Sequence, residues 1–304
     1  MQILEKCDFF CTMALGNFDG LHKAHIKIIS SSVEYAKENG IKSGVLLFDC
    51  HTSKILGNPQ RILTTMEEKL KILEEMGVDF VHIMHFDEIT ANMSGDKFIE
   101  YITKRFRVEA FFAGYDYKFG KNAGWDVEDL ESYGKEHGFT TFITECIKED
   151  GILVSSSNIR EYIETGEVFL AKKLLGRPYA VLGEVVKGFG NGTKSLVPTA
   201  NLKVFEDKLL PSDGVYFALT KIDDKSYKSA VNVGKNPTFN AKDRTIESFI
   251  LDFCGEIYGK VLEIEFLEKI RDDRKFESIE ALKEQIRKDI EKIRNINMRG
   301  KKYE

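Results

Sequence analysis

The densest reactive stretch of this chain is Leu15-Gly-Asn-Phe-Asp-Gly-Leu-His-Lys-Ala-His25. His22 and His25 are three residues apart, so a helix beginning here carries both imidazoles on one face of its first turn. Gly16 and Gly20 let the backbone approach a ligand closely, with Asn17 and Phe18 between them. Unpaired N–H groups and the positive dipole end of a helix suit an anion such as a nucleotide phosphate. Two imidazoles at that point could bind phosphates and stabilise charge as pyrophosphate leaves. The same spacing also fits a capped helix with two surface histidines. A zinc site would need a third ligand, which the sequence does not show.

A second polar cluster is Val154-Ser-Ser-Ser-Asn-Ile-Arg160. Serine hydroxyls cap a helix start, and Ser156 stands among them. Arg160, in the first turn, is misplaced for the dipole unless it answers a bound phosphate; a solvated arginine on a capped helix is the alternative. His82 and His85 repeat the three-residue spacing inside a strand pattern, where such residues face opposite sides, so packing is their expected role. Gly188-Phe-Gly-Asn-Gly-Thr-Lys-Ser195 imitates a P-loop, but Thr193 separates Gly192 from Lys194 and Pro198 follows. It reads as a glycine loop over a phosphate or as a hairpin turn.

The elements needed to position these residues change character along the chain. Cys11–Leu15, Val45–Phe48, Phe80–Met84, Ala110–Ala113 and Thr140–Thr144 read as strands alternating with helical patterns. The first helix has Ile26, Ile29, Val33 and Ala36 on one face and stops at Asn39-Gly40. Another opens on a capping box, Thr65 with Glu68, and stops at Gly77. Such alternation predicts a parallel sheet covered on both faces, with ligands at the carboxyl ends of its strands. Beyond Gly176-Arg-Pro178, strands are expected over Tyr179–Val186, Val215–Lys221, Lys228–Val233, Glu247–Phe253 and Val261–Leu267. A helix from Ser278 places Ile279, Leu282, Ile286, Ile290 and Ile293 on one face. A small β-barrel with a terminal helix follows, and domains of 1–176 and 177–304.

Composition restricts the function classes. The 304 residues carry a net charge of −5, with 42% hydrophobic and 31% charged residues. That is ordinary for a globular protein of about two domains and unlike a basic nucleic-acid binder. No apolar run is long enough for a membrane span, and Glu5 and Asp8 stand where a signal peptide would need apolar residues. Cys7, Cys11, Cys50, Cys146 and Cys254 form no CxxC pair, which suits a reducing cytoplasm better than a disulfide framework.

Gly-Asn-Phe-Asp-Gly-Leu-His-x-x-His, then Gly114-Tyr-Asp-Tyr-Lys-Phe-Gly120, then Ser-Ser-Ser-x-Ile-Arg resemble, in that order, the bacterial bifunctional FAD synthetases. Val197-Pro-Thr-Ala-Asn201 resembles the PTAN signature of their riboflavin kinase half. Pro211–Tyr216, Val231–Phe239, Glu247–Phe253 and Ile270–Phe276 continue the similarity over nearly the whole chain. The resemblance implies a Rossmann-like nucleotidyltransferase domain before a barrel kinase. Riboflavin would be phosphorylated to FMN, and FMN adenylylated to FAD, with ATP as co-substrate and Mg²⁺ as the metal. It implies Glu247 as catalytic base beside the catalytic His22 and His25. Gly16, Asn17, Phe18, Gly20, Ser156, Arg160, Gly188 and Gly192 would hold nucleotide, Asp116 flavin, and Thr199 and Asn201 the metal. Partners would be small molecules, with no nucleic acid or membrane and an oligomeric state that the sequence leaves open.

Several positions depart from the family pattern. Ala24 replaces a glycine in the histidine motif, and Phe48-Asp-Cys-His-Thr52 loses two prolines while keeping His51. Phe249 stands where histidine is common. Thr193 and Leu196 replace an arginine and a glycine of the kinase loop, which bears on ATP binding. An adenylyltransferase with a silent barrel and a non-catalytic flavin binder are therefore the alternatives to two working sites.

Overall fold

The computed structural model describes residues 1–186, 199–205, 207–223, 225–235 and 244–298. They form two compact units, Met1–Ser156 and Ser157–Glu304. The division falls earlier in the chain than the composition change at Gly176.

The first unit runs β1 (Gln2–Ile3), β2 (Phe10–Ala14), α1 (Lys23–Glu38), β3 (Lys42–Phe48), α2 (Met66–Glu75), β4 (Phe80–Met84), α3 (Glu88–Ala91), α4 (Gly95–Thr103), β5 (Arg107–Gly114), α5 (Val127–His137), β6 (Thr140–Thr144), β7 (Lys148–Glu149) and β8 (Ile152–Leu153). Its main sheet has the order β1-β4-β3-β2-β5-β6, with every pair parallel. Side chains alternate between two cores. Cys11 and Met13 of β2 pack with Phe111, Phe98 and Leu130 on one face, while Ala14 packs with Phe112, Ile29, Val33 and Leu73 on the other. The expected capping box at Thr65 and Glu68 is present, as are the stops at Asn39 and Gly77.

The chain leaves β2 toward β3 on one side, and β5 lies on the other. That reversal opens a crevice at the carboxyl ends of the central strands. The segments following β2, β3 and β5 meet this end of the sheet, and they carry Gly16–His25, Asp49–His51 and Tyr115–Gly120.

The second unit contains α6 (Ser156–Thr165, its first residue shared with the first unit), α7 (Val168–Leu175), β9 (Tyr179–Val186), β10 (Ala200–Val204), β11 (Gly214–Ile222), β12 (Lys225–Lys235), β13 (Arg244–Ile250), β14 (Val261–Asp272) and α8 (Ile279–Asn295). Six strands close a barrel in the order β10-β13-β12-β11-β14-β9, every pair antiparallel. Closure removes the free edges of an open sheet. Tyr216, Ala218, Val231, Val233 and Ile246 are buried along alternating strand positions. Thr220 pairs with Ser229 at 2.6 Å and Ser248 at 3.1 Å, so these buried hydroxyls satisfy one another. The opposite face of β11 and β14 packs Phe217 and Leu267 with Leu251 and Ile293 of α8.

The parallel sheet, the barrel and the terminal helix are those expected from the sequence. Strand β10 was not expected, because Ala200–Val204 overlaps the signature and its short alternation is hidden there. The two-residue strands β1, β7 and β8 are too short to leave a pattern. Helix α8 buries only part of its apolar stripe: Ile293 is enclosed, whereas Ile279, Leu282 and Ile286 are exposed.

Candidate functional site

In the first unit, His22 caps α1. Its Nδ1 accepts the backbone N–H of His25 at 3.4 Å. The two imidazoles stack with centroids 3.6 Å apart and planes at 15°, and Phe18 meets His25 edge-on at 5.2 Å. The sequence spacing thus brings both rings together at the helix N-terminus, where backbone N–H groups and the dipole favour an anion.

The loop before them has an unusual backbone. Phe18 (φ 48°), Gly20 (φ 86°) and Leu21 (φ 41°) all occupy the left-handed region. Glycine enters it freely, but a non-glycine residue there costs about 1–3 kcal/mol and persists only where its surroundings over-determine it. Phe18 and Leu21 are fully buried, which fixes their side chains. A Cβ at Gly16 would stand 3.1 Å from the Phe18 ring, so glycine also permits the ring's close approach.

Polar ties complete the hold. The buried Asp19 carboxylate accepts the backbone N–H of Leu63 at 2.9 Å and of Thr64 at 3.1 Å. Gly20 N–H donates to Thr64 Oγ1 at 2.6 Å, and Lys69 Nζ donates to the Asn17 carbonyl at 2.9 Å. Ser156 Oγ donates to the Asp19 carbonyl at 2.8 Å, joining two motifs 137 residues apart. His51 Nε2 lies 3.8 Å from Asp19 Oδ2. Asn17 is exposed at the loop's crest, and Thr52 Oγ1 donates to its Oδ1 at 3.5 Å.

Asp116 is exposed just beyond β5. Arg160 is half-buried in the first half of α6, within the second unit. His82, expected to be a packing residue, is fully buried, with Nδ1 bonded to the Leu4 carbonyl and Nε2 3.3 Å from Tyr101 Oη. His85 is instead exposed and lies 2.5 Å from Asp49.

In the barrel, Glu247 of β13 stands directly opposite Asn201 of β10 and, on its other side, Asn232 of β12. Register partners present their side chains on one face, so two carboxamides flank one carboxylate. Their strand neighbours Ala200, Leu202, Val231, Val233, Ile246 and Ser248 are buried, whereas the three polar residues are half-buried on the outer face. No described residue hydrogen-bonds the Glu247 carboxyl, and burial pushes its pKa up. A carboxylate so placed is a better proton acceptor than an ordinary exposed glutamate. Thr199, exposed, immediately precedes β10. Gly188, Gly192, Thr193 and Leu196 lie outside the described residues.

The sequence motifs did not single out Asp19, Thr64 and Lys69 as supports of the first site, nor Asn232 as a neighbour of Glu247. The last had a legible signal, because asparagine is a poor strand former and stands between Val231 and Val233. Lys69 sits in the capped first turn of α2, where a lysine ordinarily reads as surface.

Comparisons with known proteins cover both units. The FAD synthetase family matches residues 5–158 and the riboflavin kinase family matches residues 175–297. A Bacillus subtilis protein named bifunctional riboflavin kinase/FMN adenylyltransferase is 34% identical over 284 residues, covering 91% of this chain and 89% of that one. Its namesake in Escherichia coli K12 is 31% identical over 284 residues, covering 92% and 90%. A Streptococcus pneumoniae crystal structure described as a macrolide-efflux protein superposes with a TM-score of 0.87 at 29% identity, covering 97% of this chain and 99% of that one. Among the described residues here, no helix is long and apolar enough to cross a membrane.

Proposed function

This chain belongs to the bifunctional riboflavin kinase/FMN adenylyltransferase family, and on that premise we propose how its residues divide the two reactions. Riboflavin is phosphorylated by ATP to FMN, and FMN is adenylylated by a second ATP to FAD with release of pyrophosphate. Its partners are these small molecules.

The register of Glu247 between Asn201 and Asn232 carries the assignment of the first step to the barrel. Glu247 takes the proton of the ribityl hydroxyl as that oxygen attacks the γ-phosphorus of ATP, and ADP leaves. Phosphoryl transfer of this kind depends mainly on positioning and charge stabilisation. Thr199 and Asn201 offer hydroxyl and carboxamide oxygens, a donor set that suits Mg²⁺ shared with substrate phosphates. When bound there, the ion would offset phosphate charge. Gly188 and Gly192 are assigned to the nucleotide on the sequence alone.

The second step belongs to the first unit. A phosphate oxygen of FMN attacks the α-phosphorus of ATP, and the bond to pyrophosphate breaks, with no covalent enzyme intermediate. His22 and His25, with the backbone of Gly16, Asn17, Phe18 and Gly20, receive the departing charge at the start of α1. Ser156 steadies that loop through Asp19. On the sequence alone, Asp116 is assigned to flavin and Arg160, of the second unit, to a nucleotide. Five free cysteines support a reducing, cytoplasmic setting.

Chromatography of flavins after incubation with ATP, Mg²⁺ and either riboflavin or FMN tests the proposal. FMN and FAD from riboflavin are expected. FAD from FMN alone would leave the barrel silent, and no product from either would leave a binding protein.

A further inference from the structure

Lys69 is a charged side chain that the reaction just described does not use. It lies in α2, buried, and burial lowers its pKa while the nearby Asp19 carboxylate opposes that fall. Its one described hydrogen bond is to the backbone carbonyl of Asn17. An ammonium withdrawn from water, with one carbonyl to bond and the Asp19 carboxylate only nearby, is costly beside a methionine of similar length, which would fill the same space without a charge. A lysine whose only task was to pack α2 against the sheet has no use for that charge.

What it holds accounts for it. The Asn17 carbonyl opens the segment in which Phe18, Gly20 and Leu21 take left-handed backbone, and His22 follows at once as the cap of α1. Asp19 and Gly20 are tied to residues 63 and 64, on the lead into the same α2 that carries Lys69. The loop is therefore clamped along its length by one short stretch of chain, with Lys69 gripping its entrance. A loop that approaches phosphate must keep its donors and both imidazoles within fractions of an ångström.

We propose that Lys69 is a positioning residue for adenylyl transfer, fixing the Gly16–Leu21 loop and the His22 cap through the Asn17 carbonyl. The inference rests on the assignment of that reaction to the first unit.

The test uses the full chain. Lys69→Met is expected to lower kcat for FAD formation from FMN by at least about tenfold, the scale of misplaced reacting groups. KM for FMN should stay within about twofold, because Lys69 would act on the loop rather than on the flavin. Riboflavin phosphorylation should be unchanged. Amide hydrogen exchange should quicken over residues 16–22 and stay at the wild-type rate in the body of α2. Unchanged kcat, or unchanged exchange over 16–22, would overturn the proposal. If Lys69→Met does not fold, Lys69→Gln takes its place, and collapse of the whole first unit in both variants would make Lys69 a core residue only. Wild-type protein that makes no FAD from FMN would remove the underlying assignment, and the exchange measurement would still decide whether Lys69 holds the loop.

Discussion

Glu247 and Asn232 face each other across neighbouring antiparallel strands, and Asn201 faces the same glutamate from the other side. A carboxyl between two neutral amides has polar company without an opposing charge. Nothing in this row counters the effect of burial, and the Glu247 pKa stands above its ordinary value.

Glu247→Gln keeps the shape of the side chain and removes its basicity. Riboflavin phosphorylation should fall by about 10²-fold or more, the usual contribution of a positioned base. FAD formation from supplied FMN should be spared. Separate assays of the two reactions check this, and equal loss of both would count against separate sites.

The pH dependence has a definite sign. The base form of Glu247 is present above its pKa, so riboflavin phosphorylation should decline as pH falls through that raised value. The decline should begin at higher pH than for an ordinary glutamate. A kcat/KM profile for riboflavin measures it, and an acid limb at the ordinary carboxylate position would contradict it.

Asn232→Asp sets a like charge opposite Glu247. Like charges oppose ionisation, so the same acid limb should move upward by about one pH unit. Comparing the variant's kcat/KM profile with wild type reads the shift directly. Coincident limbs would mean that the two side chains are not coupled.

His25→Ala removes the stacked partner of His22 and one imidazole at the start of α1. FAD formation from FMN should drop by about 10²-fold, as for loss of a charge-stabilising donor, with riboflavin phosphorylation retained. Unchanged FAD output would remove His25 from the site.

Ile293→Ala and Ile279→Ala separate the two ends of α8. Ile293 is fully buried against the barrel, whereas Ile279 is half exposed. The first should destabilise the second unit by about 2–4 kcal/mol and the second by much less. Denaturant unfolding of the two variants compares them, and equal losses would mean that the exposed end is covered in solution.

The sequence reading was clearest where chemistry and local geometry coincide. The His22–His25 spacing, the Thr65–Glu68 capping box and the alternating strands are local patterns, and each appears in the fold. Contacts between distant segments were harder to read. Lys69 and Asn17 are 52 residues apart, and Ser156 and Asp19 are 137 apart. No periodicity records such pairings, because sheet order sets them. The row around Glu247 is similar: its composition was visible, but its register required three strands to pair. Helix α8 gives a different lesson, since an apolar stripe specifies which face can pack and not how much of it finds a partner.

The cap on α1 also fixes a proton. His22 Nδ1 accepts the His25 backbone N–H, so that nitrogen must present a lone pair. A neutral His22 is then the Nε2–H tautomer, and its outer nitrogen is a donor. The helix start thereby selects the orientation of the ring's own dipole before any nucleotide arrives. With the cap in place, a neutral His22 meets its surroundings through an N–H on the far side of the ring.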